Sequence, residues 1–366
     1  MSDASNAEFY PVSIGQVLHH RYRLLQRLGS GRYSAVYLAR DQKESSYKAI
    51  KILRPDCYNG KHDLFELEIP RHLRRANPDH PGYQHITILL DDFIHIGQSG
   101  NRHVCLVMEP MAEDMKGFSF FFDGAKIPNL IMKRITRQLL SALEYAHASG
   151  VIHSDIKQDN IMVKVRDPSI IDRYLKDSLS NPAANLGEYN FDDISELIHT
   201  EVVLCDWGSS SWVRKHLTEM IQPRLLRAPE VILGAPWGKE VDIWNLGALL
   251  PELLDTVQMF SGKATVTGGV YHIKHHIEEI DALFGPFPSE MLANGNSKLV
   301  ERIFDNDCKI RDCTKRPPAM LERWIQCLDG PEKTNFLSLI RSMLIIDPKE
   351  RKTALALQRA SWLTTG

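Results

Sequence analysis

Long apolar runs are missing from this sequence. Its longest stretches free of Asp, Glu, Lys and Arg run to about ten residues, against the roughly 18 that suggest a membrane span. Cysteine is sparse and unpatterned. Six residues (Cys57, Cys105, Cys205, Cys308, Cys313 and Cys327) form no CxxC pair, so spacing supports neither a disulfide framework nor a zinc site. The expected compartment is reducing, the cytoplasm or the nucleus. Charge of one sign is not in excess: 44 Lys+Arg against 46 Asp+Glu give a net −2. Neither a nucleic-acid binder nor a membrane-surface binder is indicated. Gly and Pro together are 41 of 366 residues, too few for collagen or disorder. No repeat of 20–50 residues is found. The first residues, MSDASNAEFYPV, lack the basic and apolar regions of a secretory signal.

What remains is a globular chain of 366 residues, a length that suggests two domains or lobes at about 150 residues each. From Tyr22 to Met111 the pattern is strand-like: YRLLQRLG, SAVYLAR, SYKAIKIL, ITILLDDFIHI and HVCLVMEP. One helical segment, DLFELEIPRHLRR, interrupts it, with apolar Leu64, Leu67 and Leu73 and an awkward Pro70. From Asn129 the periodicity turns helical. Ile131, Ile135, Leu139 and Leu143 fall four apart, and Gly150 supplies a stop. The fold class is therefore α+β, a small β-rich lobe at 22–111 and a large α-rich lobe at 112–363, after an extension at 1–21. Residues 164–201, with SNPAANLG at their centre, read as a partly mobile insertion between two short strands.

Chemistry-bearing residues follow in a fixed order. Gly29 and Gly31 lie in a turn between two strands, where backbone amides can close over phosphates. A plain hairpin explains them as well, and strand–turn–strand context argues against a dinucleotide fold. Lys51 in YKAIKIL is costly on a buried strand unless an anion meets it; an edge lysine reaching solvent is the alternative. Glu68 is the expected ion-pair partner, although it also reads as a solvated helix carboxylate with Glu66 beside it. HSDIKQDN is more specific. Asp155 can orient a hydroxyl and accept its proton, Lys157 can neutralise a phosphoryl group, and Asn160 offers an oxygen to a metal. Asp206 in DWG closes a second strand and is placed to hold Mg²⁺.

In that order these pieces resemble the eukaryotic protein kinases, from Tyr22 to about Trp362. Ala228-Pro229-Glu230 looks like the end of an activation segment. Asp242 resembles the aspartate that holds the catalytic loop, and Arg351 the arginine that pairs with Glu230. HSDIKQDNIM and DWGSSSWVRKHLTEMIQPRLLRAPEVILG are most similar to the SR-protein kinases, whose catalytic loop reads HTDIKPEN and which carry a spacer where 164–201 falls. The shared residues include Trp212, Val213, Lys215, His216, Thr218, Glu219, Ile221 and Gln222.

The resemblance implies an ATP-dependent serine/threonine kinase of arginine/serine-rich substrates linked to mRNA splicing, acting as a monomer with no direct nucleic-acid or membrane partner. It implies a phosphate-covering loop from Leu28 through Gly29, Ser30, Gly31, Arg32, Tyr33, Ser34 and Ala35 to Val36. Leu28, Val36, Ala49 and Met162 would surround adenine, Glu109 and Met111 would bond it through their backbone, and Met108 would guard its back. Lys51, paired with Glu68, would bind ATP, and Asn160 and Asp206 would bind Mg²⁺. Two departures bear on this. Trp207 replaces Phe or Leu and is expected behind Glu68. GGVYHIKHHIEEIDALFG is histidine-rich where the family has acidic docking residues, with Glu278, Glu279 and Asp281 arriving late. The other classes are a pseudokinase scaffold, a kinase of non-Arg/Ser substrates, and a small-molecule phosphotransferase, the last disfavoured by the complete activation segment.

Overall fold

Alternating apolar residues zip the first part of the chain into one antiparallel sheet. Its strands are β1 (Val17–Leu18), β2 (Tyr22–Ser30), β3 (Ser34–Asp41), β4 (Ser46–Leu53), β5 (Asp91–Ile96) and β6 (Arg102–Met108), in the order β1-β2-β3-β4-β6-β5. Tyr22, Leu24, Tyr37, Ile50, Ile52 and Val107 pack one face, as period-two burial requires. The run ITILLDDFIHI is only half strand. Ile86 and Thr87 reach across to the large lobe, where Ile86 bridges Leu204 and the Thr87 amide donates to the Leu204 carbonyl at 2.9 Å. Here a bond between lobes outcompetes the local ladder.

A computed structural model describes residues 9–57, 65–97, 100–181, 184–264, 269–313 and 320–365. Leu64, the first eight residues of the extension, and Pro182 and Ala183 of the insertion lie outside them. Helix α1 (Glu68–Ala76) begins two residues before Pro70. The proline sits in the first turn, where its missing N–H is not needed.

β7 (Met111–Asp114) leads into α2 (Met115–Ser119), then α3 (Asn129–Ala148), which starts at Asn129 as expected. Gly150 follows it with φ +76°, a conformation glycine adopts without strain. The short strands β8 (Val151–Ile152), β9 (Ile161–Lys164), β10 (Val202–Leu204) and β11 (Ser211–Trp212) frame the loops between the lobes. Helices α5 (Pro229–Leu233) and α6 (Glu240–Asp255) follow. The buried α6 carries Trp244 into the main core against α3 and the later helices. Among the described residues, no helix is long and apolar enough to cross a membrane.

The insertion is more folded than its composition suggests. It forms α4 (Ser169–Ser178), and Ile170, Ile171, Tyr174, Ala184 and Leu186 pack against Leu38 of β3. The Tyr47 hydroxyl of β4 bonds Asp172. Asn190 ties the insertion to β9, donating to the Lys164 carbonyl at 3.0 Å and accepting from the Arg166 amide at 3.0 Å.

Candidate active site

Strand register places Lys51 in the cleft between the lobes. It pairs across the ladder with Val36 and Leu106, and Ala49 with Met108. The Lys51 ammonium bonds Glu66 and lies 2.7 Å from Asp206 Oδ1. Burial opposes its charge, but the carboxylates of Asp206 and Glu66 override burial and hold its pKa above the ordinary lysine value. Lys51 in turn holds the Asp206 carboxyl below the usual range, while desolvation pushes Glu66 upward.

This corrects the expected partner. Glu66 makes the pair, and Glu68 is exposed on the first turn of α1. The helical period explains why. Positions 66, 69, 70 and 73 fall on one face, and Ile69, Pro70 and Leu73 are buried, so Glu66 shares the inward stripe. Glu68 shares its side with Arg71 and Arg75, which are exposed. That spacing was available in the sequence. Trp207 is accordingly not behind Glu68. It is buried, with its ring edge-on to His153 at 4.7 Å, while Glu66 sits over Gly208, where a Cβ would fall 1.6 Å from Glu66 Oε2.

The catalytic loop is held from below. Asp242 on α6 accepts the His153 and Ser154 amides at 2.8 Å each, and His147 Nε2 lies 2.9 Å from it. Asn245, one turn on, brackets Ile156 with bonds of 3.1 and 2.8 Å. These anchors hold Ser154 at φ +64°, an uncommon value for a non-glycine residue. Lys157 Nζ lies 2.6 Å from Asp155 Oδ2. Burial opposes the Lys157 charge, and the bond to Asp155 raises its pKa nonetheless. Asn160 Nδ2 donates to the Asp155 carbonyl at 2.8 Å and to Oδ2 at 3.0 Å, which leaves Oδ1 as the acceptor for a cation. Asp206 also has a positive φ, 64°.

A cavity of about 640 Å³ runs through this cleft. Leu28, Gly29, Ser30, Gly31, Ser34, Val36, Ala49, Met108, Glu109, Met111 and Met162 line it, with Lys51, Asn160 and Asp206. Arg32, Tyr33 and Ala35 do not. Ala35 is buried in the sheet core and Arg32 covers the Tyr33 ring at 5.1 Å. Asp155 and Lys157 stand outside the lining. Sequence reasoning missed Glu66, Cys205 and the insertion residues Tyr174, Ala184 and Leu186, which also line it.

The segment after Asp206 is tied down at both ends. Trp212 packs against His72 of α1 at 5.0 Å and Phe65 at 6.4 Å. The Gln222 amide donates to the Ser154 carbonyl at 3.0 Å. Beyond it, Arg351 grips Glu230 with two bonds of 2.8 and 3.1 Å, both side chains almost fully buried.

Residues 22–363 match the family of the protein kinase domain. The chain belongs to that family. It is a protein kinase, and Lys51, Glu66, Asn160 and Asp206 meet in the cleft between its lobes. A serine/threonine protein kinase of Aspergillus fumigatus is 30% identical over 97% of this chain and 87% of its own length. The serine/threonine-protein kinase SRPK of Physarum polycephalum is 26% identical over 96% of this chain and 88% of its own. Protein kinase dsk1 of Schizosaccharomyces pombe is 25% identical, covering 97% and 83%.

Proposed function

We propose that this kinase transfers the γ-phosphoryl group of ATP to serine, and secondarily threonine, hydroxyls of protein substrates. The observation that carries the reading is Lys51 held between Glu66 and Asp206 across the two lobes. A scaffold without activity would be expected to lack Lys51, Asp155 or Asp206, and all three are present. The loop from Leu28 to Val36 covers the phosphates, and Lys51, oriented by Glu66, meets their α and β oxygens. Asp206 and Asn160 Oδ1 suit a hard cation, for which oxygen donors are required. Mg²⁺ bound there would neutralise phosphate charge. Asp155 orients the acceptor hydroxyl and takes its proton, and Lys157 stabilises charge on the transferred group. In this reading the kinase works in the cytoplasm or nucleus, as a monomer.

The likeness of the activation segment to SR-protein kinases supports arginine/serine-rich substrates. One observation favours the second reading, substrates not docked by arginine tracts. On α7 (Ile273–Phe284) the Glu278 carboxylate lies 3.0 Å from His275 Nδ1 and 3.8 Å from Lys274 Nζ. Glu279 accepts from the Ser261 hydroxyl at 2.6 Å and from the Ser261 and Gly262 amides at 2.9 and 2.8 Å. Asp281 is half-buried, which raises its pKa. Glu278 and Glu279 are thus engaged within the protein.

The test is transfer from radiolabelled ATP to serine peptides, wild type beside Asp155→Ala. The expected result is serine phosphorylation, faster on arginine/serine repeats than on acidic peptides, and abolished in the variant. Equal rates on both peptides would select the second reading. Labelling that survives in Asp155→Ala would refute the catalytic assignment.

A further inference from the structure

The solvent-side end of the nucleotide cleft is built from two elements far apart in sequence. One is β7, which begins at Met111 after the connection at Glu109 and Pro110. The other is the insertion, whose Tyr174, Ala184 and Leu186 form part of the cavity wall. Where they meet, Glu113 of β7 is only 6% exposed and lines the same cavity. Its Oε1 is buried and has no hydrogen-bond partner among the described residues. Its Oε2 is flanked by two glycines. A Cβ on Gly117 of α2 would fall 3.2 Å from it, and one on Gly187 of the insertion 2.5 Å from it. Gly187 lies in a tight turn, Leu186–Tyr189, that Asn185 closes by accepting the Gly187 amide at 3.1 Å.

A buried carboxylate oxygen without a donor is expensive to ionise. Burial is the main cause that pushes the Glu113 carboxyl up to about 8, and the neighbouring acids Asp114 and Glu188 add to it. Among the described residues, no cation acts on it. Asp114, on the same strand, caps α2 by accepting the Gly117 amide at 2.8 Å. Glu188 comes from the insertion turn. Lys116 of α2 is exposed, and Lys164 of β9 pairs with Glu201 at 3.4 Å.

We propose that Glu113 is a positioning residue for the nucleotide: in its neutral form it seats the turn at Gly187, and with it the insertion wall, over the mouth of the cleft. It acts through Leu186 and Tyr174, not by touching the reacting atoms. The inference rests on the reading of this cleft as the ATP site. The sign of its pH dependence follows from linkage. With the turn seated, the carboxyl keeps its proton up to about pH 8, whereas a solvated glutamate ionises near 4.5. Between those values only the open form loses the proton, so seating weakens as pH rises. Above about 8 both forms are ionised and the dependence flattens.

The test titrates the full chain with a fluorescent ATP analogue and Mg²⁺ from pH 6 to 8.5, comparing wild type, Glu113→Gln and Gly187→Ala. The ratio of wild-type to Glu113→Gln Kd cancels the titration of the nucleotide itself. That ratio should rise at least about threefold between pH 6 and 8, with about tenfold per pH unit as the ceiling, and then level off. Gly187→Ala should bind weakly at every pH. In steady-state assays both effects should appear in the KM for ATP and leave kcat nearly unchanged. A flat ratio, or wild-type binding by Gly187→Ala, overturns the role of Glu113 and leaves the nucleotide site standing. Absence of binding in every form, wild type included at pH 6, overturns both.

Discussion

Replacing Glu66 by Gln, with Glu68→Gln as its control, separates two assignments of the lysine partner. The Glu66 side chain is 7% exposed against Lys51, so the bond is little screened by solvent. A hydrogen bond between charged groups in such a setting contributes about 1.5–3 kcal/mol. At about 1.36 kcal/mol per decade, its loss lowers kcat/KM for ATP roughly ten- to 160-fold. Stability should fall by less than the ~3–5 kcal/mol that follows when a buried ion loses its only partner, because Lys51 keeps Asp206 at 2.7 Å. Freed from Glu66, the ammonium is drawn toward Asp206, the carboxylate assigned to the metal, so the apparent requirement for Mg²⁺ should also rise. Glu68 is exposed, and its substitution should stay within about 0.5 kcal/mol, under threefold in rate. The assay is steady-state transfer at varied ATP and Mg²⁺, with Tm recorded for each variant. A larger loss in Glu68→Gln than in Glu66→Gln refutes the reasoning.

Two further outcomes follow from the activation segment. Ser154 stands where many kinases place an arginine that meets a loop phosphate, and the segment is instead held through Trp212 and Gln222. Phosphatase-treated protein from bacteria should therefore be fully active. A rate that collapses on dephosphorylation and returns when exposed Thr218 is phosphorylated would refute this. Arg351→Met leaves Glu230 buried without its guanidinium, a loss of about 3–5 kcal/mol that should lower Tm by several degrees; an unchanged Tm would show that the pair contributes nothing to the fold.

The parts of the site that were legible in the sequence are those in which chemistry fixes local spacing. Asp155, Lys157 and Asn160 occupy one loop, and Asp206 ends a strand, so residue type and separation suffice to place them together. Glu66 was legible too, but only through the helical period: the choice between 66 and 68 turns on which one shares a face with Ile69 and Leu73. The insertion was a different problem. Ile170, Ile171 and Tyr174 are apolar, yet nothing near them in the chain reveals that their partner is Leu38 of β3, so the segment reads as a loop until the small lobe is folded beneath it. Glu113 is the extreme case. Its burial is imposed by Gly187, far along the chain, and a glutamate at the end of a strand ordinarily faces water. What makes it unusual is not its type or its neighbours in sequence but a buried Oε1 that meets no donor among the described residues where two distant segments close. Tertiary contact alone creates that condition, and the same contact ties the insertion to the nucleotide cleft.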